Sequence, residues 1–165
     1  MCCGDGISAH TAGAVEKILT GMIILSGFET GGERLQAALD SGSQEEEHSC
    51  FSDNTHRDMI QDVQGIWNVW NGVYKQTDGS NVSGTSIKEI VSEVDADLAT
   101  RVTDQIDSSL SLANALPRPF DQAIAPGNEE GNAAVQALVQ SLRDQEGVLQ
   151  EVFDALGLSV EIPTE

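Results

Sequence analysis

Residues able to do chemistry crowd into one short stretch. Between positions 45 and 58 lie Glu45, Glu46, Glu47, His48, Asp53, Asn54, His56 and Asp58, a mixture of carboxylates, imidazoles and an amide. Carboxylate and imidazole ligands suit iron, zinc and related cations, and a loop running into a helix N-terminus can gather several of them. A second reading fits the same residues: Asp53 and Asn54 cap the helix, a histidine orders the turn, and the glutamates are solvated. A smaller group comprises Glu29 and Glu33, four apart and so on one face of a helix, with Arg34 beside the second. Two carboxylates at that spacing can chelate a cation or simply form a wet helix face.

Other machinery is missing from the chain. The spacing of His48 and His56 matches no standard ligand motif, and there is no His-Glu-x-x-His, so a thermolysin-like zinc peptidase is unsupported. No phosphate loop, nucleophile elbow or Rossmann glycine pattern occurs. Cys2, Cys3 and Cys50 are odd in number and lack Cys-x-x-Cys spacing, so no disulfide framework is expected. Cys50 reads as a small apolar residue in a turn, or else as a ligand or redox thiol.

These groups must be positioned by helices. Val15, Ile18, Leu19, Met22, Leu25, Phe28, Leu35 and Leu39 recur at helical steps and predict a first helix from Thr11 to about Leu39. Gly27, Gly31 and Gly32 within it predict close helix contact or a break near Gly31 and Gly32. A second helix follows Ser52, Asp53 and Asn54 and runs from Thr55 to Tyr74. Met59, Val63, Ile66, Trp70 and Val73 form its stripe, widened by Trp67 and Tyr74, and both tryptophans read as core residues. Asp78-Gly79 predicts a small hairpin in the connector 75–84. Ser86 and Glu89 form a capping box for a third helix with an interruption at Asp95-Ala-Asp97, ended by Pro117 and Pro119. Asn128 opens a fourth, which Gly157 stops. The expected fold is all-α: one antiparallel four-helix bundle domain over 1–165 with a short hairpin-like connector, residues 1–12 disordered and 158–165 a tail.

Composition excludes several partners. With 39% hydrophobic residues the chain can bury a core unaided, and 27 acids against 8 bases give a net charge of −19. Nucleic acid and anionic membrane surfaces need clustered Lys or Arg and are disfavoured, whereas a metal ion is electrostatically allowed. No apolar run is long enough to span a membrane. Residues 1–6 have neither the basic nor the apolar region of a secretory signal, so the residues alone suggest a cytoplasmic chain or one whose start lies upstream.

Several segments carry a family resemblance. Ile18-Leu-Thr-Gly-Met22, Leu25-Ser-Gly-Phe-Glu-Thr-Gly-Gly-Glu-Arg34, Glu46-Glu-His-Ser-Cys-Phe-Ser-Asp-Asn-Thr-His56, Gly65-Ile-Trp-Asn-Val-Trp-Asn-Gly-Val-Tyr74 and Pro119-Phe-Asp-Gln-Ala-Ile124 stand in the order found in the second half of imelysin-like proteins. The chain resembles that family from about residue 14 to 160. The resemblance implies two helical bundles, a periplasmic or envelope location and a part in iron uptake. One founding member was described as an insulin-cleaving protease, which implies a metallopeptidase alternative. Family members carry Gly-x-His-x-x-Glu in the first bundle, and that motif does not occur in these 165 residues. Glu29, Glu33, His48, Asp53 and His56 would then be the second bundle's ligands for iron or another divalent metal, with Arg34 and Asn54 beside them. Implied partners are a metal ion, an envelope protein or a first helical domain. A purely structural bundle that docks to such a domain is the remaining alternative.

Overall fold

The computed structural model describes residues 9–158. The expected disorder over 1–8, Cys2 and Cys3 among them, and the tail 159–165 lie outside the described residues. The expectation for 9–12 is revised, because α1 opens at Ala9.

The fold is all-α with one small ribbon. The first helical run, Ala9–Ser41, is unbroken but changes register: α1 (Ala9–Ile23) gives way to a π segment (Ile24–Gln36) and returns to α2 (Ala37–Ser41). The break expected at the glycines is therefore a widening of the hydrogen-bond ladder, closed where the Ala37 amide donates to the Gly32 carbonyl. The wider register changes which residues are buried. Phe28, expected on the apolar stripe, is half-buried, while Ser26, Gly27, Thr30, Gly31 and Leu35, spaced by fours and fives, face inward.

Small residues are needed there because α7 (Glu129–Leu156) packs closely on the segment. A Cβ on Gly27 would lie 1.7 Å from Glu146 Oε2, and one on Gly31 3.5 Å from Leu142 Cβ. Gln145, fully buried, donates from Nε2 to Ser26 Oγ at 2.8 Å, and Ser26 Oγ donates to the Met22 carbonyl at 2.7 Å.

After Gly42 (φ 59) and a 3-10 turn (Gln44–Glu46), α3 (Thr55–Asn71) stops at Gly72 (φ 62). It ends earlier than the periodicity suggests. Val73 and Tyr74 belong to β1 (Val73–Lys75), paired antiparallel with β2 (Asn81–Ser83), so Tyr74 is exposed instead of widening a helix stripe. Both halves of the Ser86/Glu89 capping box are made, and they open α4 (Ile87–Val94). Asp95 then leaves helical geometry and caps α5 (Ala96–Asn114) by accepting from the Leu98 amide at 2.9 Å, which is the expected interruption. A short α6 (Phe120–Ile124), absent from the sequence expectation, buries Phe120 and Ile124 before Asn128 caps α7.

Two apolar clusters make the core. One gathers Leu19, Ile23, Trp70, Val102, Ile106 and Leu149, and the other Leu35, Met59, Phe120, Ala113 and Leu142. Buried polar residues stand between the cluster positions along three of the helical runs: Ser26 and Thr30 in the π segment, Ser109 in α5, and Gln145 in α7. Ser109 and Ser141 hydroxyls bond at 2.9 Å, and Gln105 donates to Ser141, so the seam is knitted as well as packed. Buried polar groups cost stability unless paired, so this layer fixes the helices' mutual register.

A Gly27→Ala substitution drives a methyl group into the Glu146 carboxylate. It should lower unfolding free energy by about 1–3 kcal/mol in urea titration, as overpacking does. Adding Glu146→Ala should recover part of that loss, because only the Glu146 Cβ, 3.1 Å away, would still crowd the new methyl.

Candidate functional site

The acidic turn folds back on the start of α3. Glu47 is buried, and its Oε2 accepts from Thr55 Oγ1 at 2.9 Å. The Ser49 amide donates to the same Thr55 oxygen at 3.1 Å, so one hydroxyl joins loop, glutamate and helix start. Ser49 Oγ donates in a short bond to Asp58 Oδ2, and Asn54 Nδ2 donates to Asp58 Oδ1 at 3.2 Å. Asn54 starts α3 without a side-chain cap: its Oδ1 accepts from no backbone amide, and its Nδ2 donates to Asp58. Phe51, Ser52 and Asp53 stay exposed at the tip, with Asp53 in the left-handed region at φ 49. Cys50 is half-buried in the turn, its carbonyl accepting from Gln44.

One helical turn along α3 stands Asp62, where the π segment meets this helix. Thr30 Oγ1 donates to Asp62 Oδ2 at 3.4 Å. Burial raises the Asp62 carboxyl above its ordinary range, His48 and the Thr30 hydroxyl oppose the rise, Asp58 adds to it, and Arg34 opposes it. Asp58 and Asp62, four apart on α3, share a helix face, and the charges of His48 and Arg34 act on Asp62. Glu47 is also raised, first by burial, against its bond from Thr55, with Asp121 and Asp53 adding repulsion. Its Oε1 and His56 Nδ1 are buried without a hydrogen-bond partner among the described residues.

The expected ligands separate into groups. Glu29 pairs with Arg34, Oε2 to Nη2 at 3.2 Å. Glu29 and Arg34 are five apart, the interval that the hydrogen bonds of a π ladder span. Glu33 is exposed, as are His48 and Asp53, while His56 is half-buried. Of these, His48 and Arg34 act on Asp62, and Asn54 acts on Asp58. Asp62 and Thr30 had no place in the sequence reading. Asp58 and Asp62 nevertheless share the four-residue spacing that made Glu29 and Glu33 candidates, and that signal could have found them. Among the described residues, no three His, Cys, Asp or Glu side chains come together in a way that could hold a metal ion. The described residues by themselves do not make a complete, preformed metal centre.

The imelysin family model, peptidase M75, matches residues 5–149. The chain belongs to the imelysin family. Comparison with curated proteins finds no match. In this imelysin chain, no described helix is long and apolar enough to cross a membrane.

Linkage gives the Asp62 shift a sign. A carboxyl whose folded pKa is raised binds more protons in the native state, so its favourable contribution is full below the unfolded value and is lost as pH rises through the folded one. Asp62→Asn should therefore raise the melting temperature at pH 8, with the difference from wild type fading as pH falls towards 4, about the unfolded carboxylate value. Thermal melts at the two pH values check both halves.

Proposed function

We propose that this imelysin chain serves iron uptake at the bacterial cell envelope as a binding protein and not as a catalyst. The Asp58–Asp62 pair with His48 is one wall of a site for iron or another divalent metal. Glu29, Glu33, Asp53 and His56, the remaining ligands implied by family resemblance, belong to its outer electrostatic surround. The other wall is a helical domain of the kind that carries Gly-x-His-x-x-Glu, packed on an antiparallel arrangement of the four long helical runs. The observation that carries this reading is Asp62: a part-buried carboxyl, raised by burial, bonded by Thr30, one helical turn from Asp58 and subject to the charge of His48. Groups shifted in this way cluster at functional sites. A metallopeptidase has less support, since it needs a metal with an adjacent base.

Calorimetric titration with ferrous iron, ferric iron and zinc tests the proposal. At least one ion should bind with a dissociation constant in roughly the micromolar range, and Asp58→Asn/Asp62→Asn should weaken it at least about tenfold, or 1.4 kcal/mol. Absence of binding, or binding untouched by the double substitution, would refute the direct-ligand reading.

A second reading, a bundle that docks to another helical domain, has its own observation. Ile18 and Val69, 42% and 43% exposed, flank a groove of about 380 Å³ floored by Met22, Leu25 and Ile66, with Gly21 and Gly65 at its lip. Exposed apolar surface of this kind marks interaction sites. Ile18→Asp should leave the melting temperature within a few degrees while abolishing any self-association or domain capture seen by sedimentation, because a surface substitution away from the core costs little.

A further inference from the structure

A second concavity lies beside the hairpin, and its chemistry differs from both sites above. It has a volume of about 480 Å³ and runs between α3 and the ribbon, with Trp67, Tyr74, Gln61, Gln64, Asn68 and Asn81 among its walls and Lys75 at one side. We propose that this groove binds a neutral oligosaccharide.

The first support is the side-chain inventory. Each amide offers both a donor and an acceptor, which is what a ring hydroxyl also offers, so neighbouring amides can satisfy neighbouring hydroxyls. Gln64 Nε2 donates to Asn68 Oδ1 at 3.0 Å. That bond fixes the orientation of both groups and leaves the Gln64 carbonyl and the Asn68 NH₂ for a ligand. Trp67 and Tyr74 supply the flat apolar bodies against which the C–H face of a pyranose can lie. Carboxylates are absent from the lining, and a chain of net charge −19 repels polyanions, so the ligand is an uncharged chain.

The second support is that the groove is held in shape by features the core does not require. Trp67 Nε1 donates to Asp107 Oδ1 at 2.9 Å, tying the indole to α5. Gly72 (φ 62) lets the chain leave α3 at a point where a Cβ would lie 2.6 Å from the Gly84 carbonyl oxygen, and the Gly84 amide closes the ribbon base on the Gly72 carbonyl at 3.0 Å. The ribbon buries almost nothing: Tyr74 and Val82, directly opposite each other, are 57% and 52% exposed. Binding sites are largely preformed and fall in the range of a few hundred to a thousand Å³, which this groove meets. Aromatic grooves also take proline-rich peptides, but three amides on the α3 wall and a fourth on the ribbon exceed what a ligand without N–H donors can use.

The test follows the two indole N–H signals by NMR while cellohexaose, maltohexaose, chitohexaose and, separately, decaproline are added to about ten millimolar, the range of weak affinities. At least one hexasaccharide should shift Trp67 saturably while Trp70, buried and bonded to Thr103, stays in place. Tyr74→Ala and Asn81→Ala, both on the exposed ribbon, should each weaken that binding at least tenfold with an unchanged melting temperature. No shift with any sugar, a shift that survives both substitutions, or a response to decaproline alone would overturn the proposal.

Discussion

Everything in this fold leans on the contact between the 24–36 segment and α7. Two glycines, Gly27 and Gly31, let the helices approach closely, and the chain of bonds from Gln145 to Ser26 to the Met22 carbonyl holds them in register. The approach brings the Glu146 carboxylate over Gly27, and burial raises that carboxyl while Arg143 partly offsets the shift. The small and polar residues that face inward here recur at four- and five-residue steps, and the ladder over 24–36 is correspondingly wide. Segments of this kind concentrate at functional sites.

The register has consequences at a distance. It turns Thr30 towards Asp62 on α3 and places Arg34 over Glu29, so the guanidinium acts on both the Glu29 carboxylate and, more weakly, the Asp62 carboxyl. The loop after Gly42 returns to the start of α3 through Thr55, which bonds Glu47 and Ser49 together. That loop in turn sets His48 near Asp62. Both carboxylates lie on α3, whose own apolar face is fixed in both core clusters, and the groups that act on them come from the loop and the π segment.

Much of this was legible in the residues. Caps are local, so Ser86 with Glu89, Asp95, Asn128 and Gly157 announced their positions. The apolar stripes of α5 and α7 follow ordinary helical periodicity and found their buried sides, and Trp70 is in the core as its spacing implied. The π register was not legible, because a 3.6-residue template fits Leu25, Phe28, Leu35 and Leu39 well enough to hide the rival pattern of Ser26, Thr30 and Leu35. In the site, the same register goes with an ion pair between Glu29 and Arg34, five residues on, which the 3.6-residue template did not suggest. Tyr74 was missed for a different reason: Gly72 ends α3 by a turn whose tightness depends on Gly84, twelve residues later. Asp62 sits on the polar flank of a helix, and only the approach of Thr30 from a distant segment distinguishes it from a solvated aspartate.

Residues 24–36 run in the wide register, and the placing of Thr30 and Arg34 goes with it. NMR scalar couplings across hydrogen bonds read the register directly, since they connect an amide nitrogen to the carbonyl carbon that accepts from it. The structure requires the Ala37 amide to couple to the Gly32 carbonyl. A coupling to the Glu33 carbonyl instead would put the segment in an α ladder and contradict the account.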